Sequence, residues 1–365
     1  MKRKFIQTEF ENENLFEKIC ANSHVNEKFE IMPVIGMKDP FFYRNKAQIP
    51  VRQINGELEI GFFRINSHDF VPMEKFYIQD KLIDEALVKI RDIMREYDVK
   101  SYNEEKHTGF LRNIIVRYGR RTGQMQIVLV TSKTKFFNVA KIVKRIVDSI
   151  DRVVSVVQNV QNMKSNVIMG EKDILLYGKD YIEDELLNIK YKISSHSFYQ
   201  VNPVQTEVLY KHVLDVADIN ANDIVLDAYC GIGTISLMIA KKAQKVIGVE
   251  KILQAVKMAK ENARINNISN AEFYADNVEN FIDDNNEKFN VIIVDPPRKG
   301  LDIKFIHTVI RKAPDKIIYV SCNPKTLARD LKIFTLNNYA IKNVQPIDMF
   351  PQTTSVETVC LLSKL

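Results

Sequence analysis

The stretch Asp223-Ile-Val-Leu-Asp-Ala-Tyr-Cys-Gly-Ile-Gly-Thr234 decides the fold. Its apolar run Ile224–Ala228 reads as a buried strand, Tyr229–Gly233 as a turn, and Thr234–Lys242 as a helix. Glycines at the carboxyl end of a strand, just before a helix, mark the opening of a βαβ unit. The rhythm continues downstream: strand Lys245–Glu250, helix Ile252–Asn266, strand Ala271–Tyr274, then strands Asn290–Asp295 and Lys316–Ser321, each with a helical stretch behind it. A last strand spans Val356–Ser363. Strands alternating with helices predict an α/β domain over residues 196–365, Rossmann-like, with a mostly parallel sheet.

Upstream the pattern differs. Phe41–Val51 and Leu58–Phe63 read as strands about an Asn55-Gly56 turn. Asp80–Tyr97 carries Leu82, Ile83, Ala86, Leu87, Ile90 and Ile93 at helical spacing. Arg112–Tyr118 and Gln124–Thr131 are strands, Val139–Ile150 a helix and Val153–Val160 a strand. Residues 31–195 are therefore expected to form a mixed α+β domain, and residues 1–30 an acidic helical lead.

The chain has 365 residues, 45% of them apolar and 27% charged, an ordinary globular balance. Its longest largely apolar runs, such as Met125–Val130, are far too short to cross a bilayer. The basic start Met1–Lys4 meets Glu9, Glu11, Glu13 and Glu17 rather than an apolar segment, so no signal peptide is expected and the cytoplasm is the expected location. Four cysteines (Cys20, Cys230, Cys322 and Cys360) include no C-x-x-C pair, which excludes a disulfide framework and a zinc site of the usual spacing. No metal ligand set is expected.

Charge is uneven. Residues 101–150 hold ten Lys/Arg and three Asp/Glu, a net +7, and the remaining chain carries −1. Arg112, Arg117, Arg120, Arg121, Lys133, Lys135, Lys141, Lys144 and Arg145 are interleaved with Phe110, Tyr118, Phe136 and Phe137. Cations for phosphates and aromatic rings for bases suit RNA. A merely solvated basic face fits the same charges.

At the ligand end of the second domain, Gly231 and Gly233 permit close approach of backbone to a ligand, though such glycines are often only geometric. The G-x-G is followed by Thr-Ile-Ser, which argues against a pyrophosphate loop. Glu250, nineteen residues beyond Gly231 at a strand end, can take both hydroxyls of a ribose, or can simply favour a helix start. Asp276 can accept from an adenine amino group. A ribose acid without a phosphate cradle suggests an adenosine ligand lacking phosphates, a description that S-adenosylmethionine fits.

At the reactive end, the run to Val294 leads into Asp295-Pro-Pro-Arg-Lys-Gly300, a loop stiffened by two prolines where open sheets bind ligands. The following strand ends Tyr319-Val-Ser-Cys-Asn-Pro324, which places Cys322 at the same edge. A cysteine there can act as a nucleophile if its thiolate is stabilised and exposed. Cys360 reads as a buried apolar residue and Cys230 as part of the turn, whereas Cys20 has no partner signal. Glu357 begins the last strand; its position does not choose between a surface charge and a buried base of raised pKa.

These segments resemble the RNA uracil-5-methyltransferases. The resemblance rests on Asp295–Gly300, Ile317–Thr326, Asp348–Glu357, Ser197–Pro203 and Asp223–Thr234, in that family's order. Met37–Gln48 and Ser67–Asp69 are similar to its central RNA-binding domain, and the match covers nearly everything beyond about residue 30. The resemblance implies a methyltransferase domain at 196–365, S-adenosyl-L-methionine as cofactor and RNA as partner. It implies that Cys322 adds to C6 of a uracil, that C5 then takes the methyl group, and that Glu357 removes the C5 proton. Gln200, Tyr229, Glu250 and Asp295 correspond to cofactor contacts, Phe198 to a stacking position for the extruded base, and Arg298 to a group steadying a phosphate or the loop.

Three departures bear on the expectation. Many family members begin with a small β-barrel and a cysteine cluster holding a [4Fe–4S] centre. Neither is found in this sequence, and Phe76 stands where the fourth cluster cysteine precedes Tyr77-Ile78-Gln79, so no iron–sulfur cluster is expected. Ser355 replaces the usual histidine two residues before the glutamate. The segments Y-R-N-K-A-Q and G-F-F-R-I-N-S-H-D look more like the ribosomal branch, which favours a 23S rRNA uridine over the tRNA T-loop uridine, acted on by a monomer. Two competing readings remain. An amino-methyltransferase usually has an aromatic residue after the prolines, where Arg298 stands, and leaves Cys322 and Glu357 unexplained. A catalytically weak RNA-binding member is suggested only by Ser355 and the missing modules.

Overall fold

The structure is a computed structural model that describes residues 29–365 except 65, 66, 68 and 166. The expected acidic helical lead falls almost wholly outside the described residues, as do Cys20 and His68 of the Ser67–Asp69 segment. Two compact units are present: Phe41–Glu185 with Lys192–His196, and the described residues up to Pro40 with Leu186–Tyr191 and Ser197–Leu365.

In the first unit the elements run β1 (Lys46–Ile54), β2 (Glu57–Phe63), β3 (Phe70–Pro72), α1 (Lys81–Glu96), β4 (Leu111–Tyr118), β5 (Met125–Thr131), α2 (Val139–Ser149), β6 (Val153–Val160) and β7 (Lys172–Gly178). The sheet order is β3-β2-β1-β4-β5-β6-β7. Neighbours are antiparallel except β5 and β6, joined in parallel through α2. Asn55 and Gly56, both at positive φ, make the tight hairpin expected of them. Asp80 lies outside α1 as its cap, accepting from Leu82 N at 3.0 Å. The apolar stripe Ile83, Leu87, Ile90 and Met94 is buried with Ile142 and Ile146 of α2 against Val116 and Ile127. The first strand begins at Lys46 rather than at Phe41, because Phe42 adopts a left-handed φ of 51° that interrupts extended backbone.

Strands β8 (Tyr181–Leu186) and β9 (Ile189–Ser194) pair with one another. The second unit continues with α3 (Pro203–Ala217), β10 (Ile224–Ala228), α4 (Thr234–Ala240), β11 (Lys245–Glu250), α5 (Leu253–Ile265), β12 (Ala271–Ala275) and α6 (Val278–Asp284). It closes with β13 (Val291–Val294), α7 (Ile303–Lys312), β14 (Lys316–Ser321), α8 (Pro324–Thr335), β15 (Tyr339–Ile347) and β16 (Glu357–Lys364). Sheet order is β12-β11-β10-β13-β14-β16-β15. The first five are parallel, and β16 runs antiparallel to both β14 and β15. This is the Rossmann-like methyltransferase architecture expected from the sequence.

Strand β15 gave no sequence signal, since Pro346 interrupts it, but a proline is tolerated at the end of a sheet. Residues 31–40 were assigned to the central domain by sequence and lie with the second unit instead. Met32 N donates to Val344 O at 2.9 Å and Ile35 N to Pro346 O at 3.0 Å, a ladder between segments more than 300 residues apart that local patterning cannot show.

Candidate active site

Parallel pairing brings the carboxyl ends of β10, β11, β12, β13 and β14 to one edge: Ala228 lies opposite Val249 and Val294, Glu250 opposite Ala275, and Val294 opposite Tyr319. Every residue just beyond these positions faces the ligand edge of an open sheet. Tyr229, Gly231 and Gly233 all have positive φ, so the turn after β10 coils tightly. A Cβ at Gly231 would meet nothing within 4 Å, whereas one at Gly233 would touch Phe273 Cζ at 3.1 Å. Gly231 thus leaves open room for a ligand, and Gly233 serves packing. Thr234, the first residue of α4, is held by Tyr191 Oη donating to its carbonyl at 3.0 Å and by Tyr210 Oη at 3.1 Å from its hydroxyl.

Glu250 accepts from Ile252 N at 2.8 Å through Oε1, so it does brace the start of the next helix, and its second oxygen is left for a ligand. Asp276 N donates to Glu250 O at 3.2 Å, which keeps these two acids together; Asp276 is exposed and its Oδ1 accepts from Asn277 N. Tyr229 Oη lies 3.4 Å from Glu279 Oε1, and its ring meets Phe305 edge-on at 6.1 Å. A ribose acid, an open glycine turn and an aromatic ring at one strand edge fit an adenosine-type cofactor. Below them Asp227 is buried and accepts from Ser236 Oγ; burial and the negative charge of Glu250 push its carboxyl up to about 7.

The reactive residues meet through the antiparallel pair β14–β16. Ser321 lies opposite Thr358, so one further step sets Cys322 beside Glu357. Glu357 is 4% exposed, which answers the choice its sequence position left open: it is a buried acid. Burial, then the charge of Asp295, raise its pKa well above the carboxylate range, against the opposing pull of Arg298. Asp295 is pushed up to about 7 by burial and by Asp227. Cys322 is half-buried, and its thiol is raised by burial, then by Glu357 and Asp295, with Arg298 and its own backbone N–H opposing. The sequence reading asked for a stabilised thiolate; within this group the stabilising charge comes from Arg298 alone.

Two sequence motifs distant along the chain are tied here. Asn202 caps α3, accepting from Gln205 N at 3.2 Å, and donates to Met349 O at 3.0 Å. Gln205 Nε2 donates to Asp348 O at 3.1 Å. Gln200 is buried beside this junction in sequence, while Phe198 exposes 70% of its surface, as a stacking ring requires. Ser355 N donates to Thr353 Oγ1 at 3.2 Å in the turn that leads to Glu357.

The expected RNA contacts need a correction. Arg112 is buried: it donates to the carbonyls of Gln161 and Met163 at 3.0 Å and stacks over Tyr102 at 4.4 Å. Arg117 is also buried, on β4 opposite Lys46. Both faces of β4 are covered, so these two are buried although they lie five residues apart, which net charge over a window cannot register. Arg120 and Arg121 are exposed on a turn whose Arg121 N donates to Asp184 Oδ1 at 2.9 Å, and Lys133, Lys135 and Lys141 are exposed as well. Missed by sequence were Arg44 and Lys46: with Arg117 they gather three cations, and burial, Arg117 and Arg44 together lower Lys46 to about 7. Like charges directly opposite one another on paired strands are unfavourable. The alternation Arg44-Asn-Lys46 was the available signal. Phe76 is 5% exposed within the apolar core and meets Phe62 edge-on at 5.2 Å.

The family model described as tRNA (Uracil-5-)-methyltransferase matches residues 34–365. An uncharacterized RNA methyltransferase of Enterococcus faecalis is 52% identical over 96% of this chain and 77% of its own length. Another, from Streptococcus agalactiae, is 45% identical over 97% of this chain and 79% of its own. Among solved structures, Pyrococcus abyssi tRNA (uracil-54, C5)-methyltransferase in complex with S-adenosyl-L-homocysteine superposes with a TM-score of 0.80 at 29% identity, over 98% of this chain and 83% of that one. Among the described residues no helix is long and apolar enough to cross a membrane. With the Rossmann-like sheet, the adenosine-type edge and these relatives together, the chain belongs to the tRNA (uracil-5-)-methyltransferase family and is an S-adenosylmethionine-dependent RNA methyltransferase.

Proposed function

We propose that this enzyme methylates C5 of a specific uridine in 23S rRNA, with Cys322 as nucleophile and Glu357 as base. The pairing of β14 with β16, which sets Cys322 beside buried Glu357, carries the reading. C5 of uracil is a weak nucleophile. Addition of the Cys322 sulfur to C6 makes an enolate with negative charge at C5. The bound cofactor supplies an electrophilic methyl group to that carbon. A carboxylate of raised pKa is a stronger base than a surface one, so Glu357 suits removal of the C5 proton, after which the C6–S bond breaks and frees Cys322. Arg298 counters the negative charge of Glu357 and Asp295 around the thiol. Gln200, Tyr229, Gly231, Glu250, Asp276 and Asp295 surround the cofactor, and exposed Phe198 stacks on the extruded base. Arg44, Lys46, Arg120, Arg121 and the exposed lysines of residues 133–141 meet RNA phosphates.

The ribosomal choice rests on the resemblance of residues 43–48 and 61–69. The names of the family model and of the P. abyssi enzyme favour a second reading, the T-loop uridine of tRNA. Tritium release from C5-labelled uridine in unmodified 23S rRNA and in tRNA transcripts separates them. Release from 23S rRNA alone, lost in Cys322→Ala, is the expected result. Release from tRNA alone replaces the substrate and keeps the mechanism. Undiminished release by Cys322→Ala removes the mechanism, and no release from either RNA favours a catalytically weak RNA binder.

A further inference from the structure

The loop after Asp295 is gripped by one face of α8. Asn323, the cap of that helix, donates through Nδ2 to Arg298 O at 2.9 Å, and Thr326 Oγ1 donates to the same carbonyl at 3.3 Å. Arg329 Nη2 donates to Lys299 O at 3.2 Å and Leu301 O at 3.0 Å. Asp330, fully buried, accepts from Leu301 N at 2.8 Å, from Tyr319 Oη at 2.7 Å and from Arg329 Nε at 2.7 Å. Residues 323, 326 and 330 recur at i, i+3 and i+7, the spacing of one helix face. Four consecutive loop residues, Arg298–Leu301, pack directly on that face. Gly300 permits this approach: its φ is +76°, and a Cβ there would lie 2.7 Å from both Arg329 Nη2 and Asp330 Oδ2.

The same helix begins two residues after Cys322, with Asn323 as its cap. Through Tyr319 and Asn323, the strand that leads to the nucleophile and the loop that carries Arg298 are bound into one piece. Nothing in Arg298's own side chain is needed to hold the loop there, because every bond named to the loop falls on its backbone.

We propose that Arg329, with Asp330 and Thr326, is a positioning residue that fixes the Arg298 loop on the helix that starts beside Cys322 and so tunes the reactivity of that cysteine. It rests on the proposed role of Cys322 but is measured without RNA. The groups facing the thiol are Glu357 from β16, Asp295 from the end of β13, and Arg298 from the loop. Only Arg298 is positive among them, so any looseness in its loop leaves two acids unopposed.

The test is the pH profile of Cys322 alkylation by iodoacetamide, followed on the Cys322 peptide by mass spectrometry, with S-adenosyl-L-homocysteine binding by calorimetry as the measure of an intact fold. For Arg329→Ala the profile should move to higher pH, so that at pH 7.5 alkylation slows about three- to tenfold. Arg329→Lys can keep a carbonyl bond and should recover much of the rate, and Thr326→Val should slow it about twofold. Homocysteine-ligand affinity should hold within about twofold throughout. An unmoved profile in Arg329→Ala with intact ligand binding overturns the proposal. Should Arg329→Ala lose ligand binding, Thr326→Val decides: an unmoved profile there overturns it equally. Tritium release by the wild type and Cys322→Ala judges the catalytic reading independently.

Discussion

Replacing Asp227 by asparagine should stabilise the protein, and only above the pH at which an unfolded aspartate ionises. Asp227 is 1% exposed, and burial followed by the charge of Glu250 lifts its carboxyl from 3.8 to about 7. An unfolded chain releases this proton near pH 4, while the folded chain keeps it to about pH 7. Stability is therefore complete below pH 4, falls as pH rises through the interval, and levels above it. At roughly 1.4 kcal/mol per pH step the loss amounts to about 4 kcal/mol as an upper limit. Asparagine never ionises and escapes it, and its amide oxygen can still accept from Ser236 Oγ, which now bonds the carboxylate. Differential scanning calorimetry at pH 4.5 and pH 8 reads the effect. The variant should melt within a degree or two of wild type at pH 4.5 and roughly 5 °C or more higher at pH 8. An offset that is the same at both pH values, or larger at the acidic one, refutes the account of a buried, strained charge.

Glu357→Gln should lower turnover by roughly 10²- to 10⁴-fold and let a covalent RNA–enzyme complex accumulate on a denaturing gel, because addition of Cys322 survives while proton removal does not. Lys46, lowered to about 7, loses its charge above neutrality, so RNA affinity should fall between pH 7 and 8.5 in the wild type and stay flatter in Lys46→Met, measured by filter binding. Arg112→Met should destabilise the first unit by about 2–4 kcal/mol, since the carbonyls of Gln161 and Met163 lose the buried donor that satisfies them, and leave RNA affinity of the folded enzyme intact. Lys141→Ala, at an exposed cation, should do the reverse, reducing the salt dependence of RNA binding by about one ion.

Local pattern determined a great deal. The limits of β10, β11, β14 and β6 follow from apolar runs bounded by turn residues, and the alternation of strand and helix implies a parallel sheet. Once the sheet is parallel, the carboxyl ends of its strands must share an edge, so Tyr229, Glu250, Asp295 and Cys322 were bound to converge. Tertiary structure decided what no local pattern contains. The antiparallel return of β16 brought Glu357 to Cys322 and buried it, and burial is what converts an ordinary acid into one of raised pKa. Pairing of residues 31–35 with β15 moved a segment from one unit to the other. Cover over both faces of β4 buried Arg112 and Arg117, and burial with the pairing of Lys46 and Arg117 lowered the Lys46 ammonium to about 7, so a charge count along the chain misstates which cations an anion can reach. Composition counts charges along the chain; which of them face solvent depends on the strand that lies opposite.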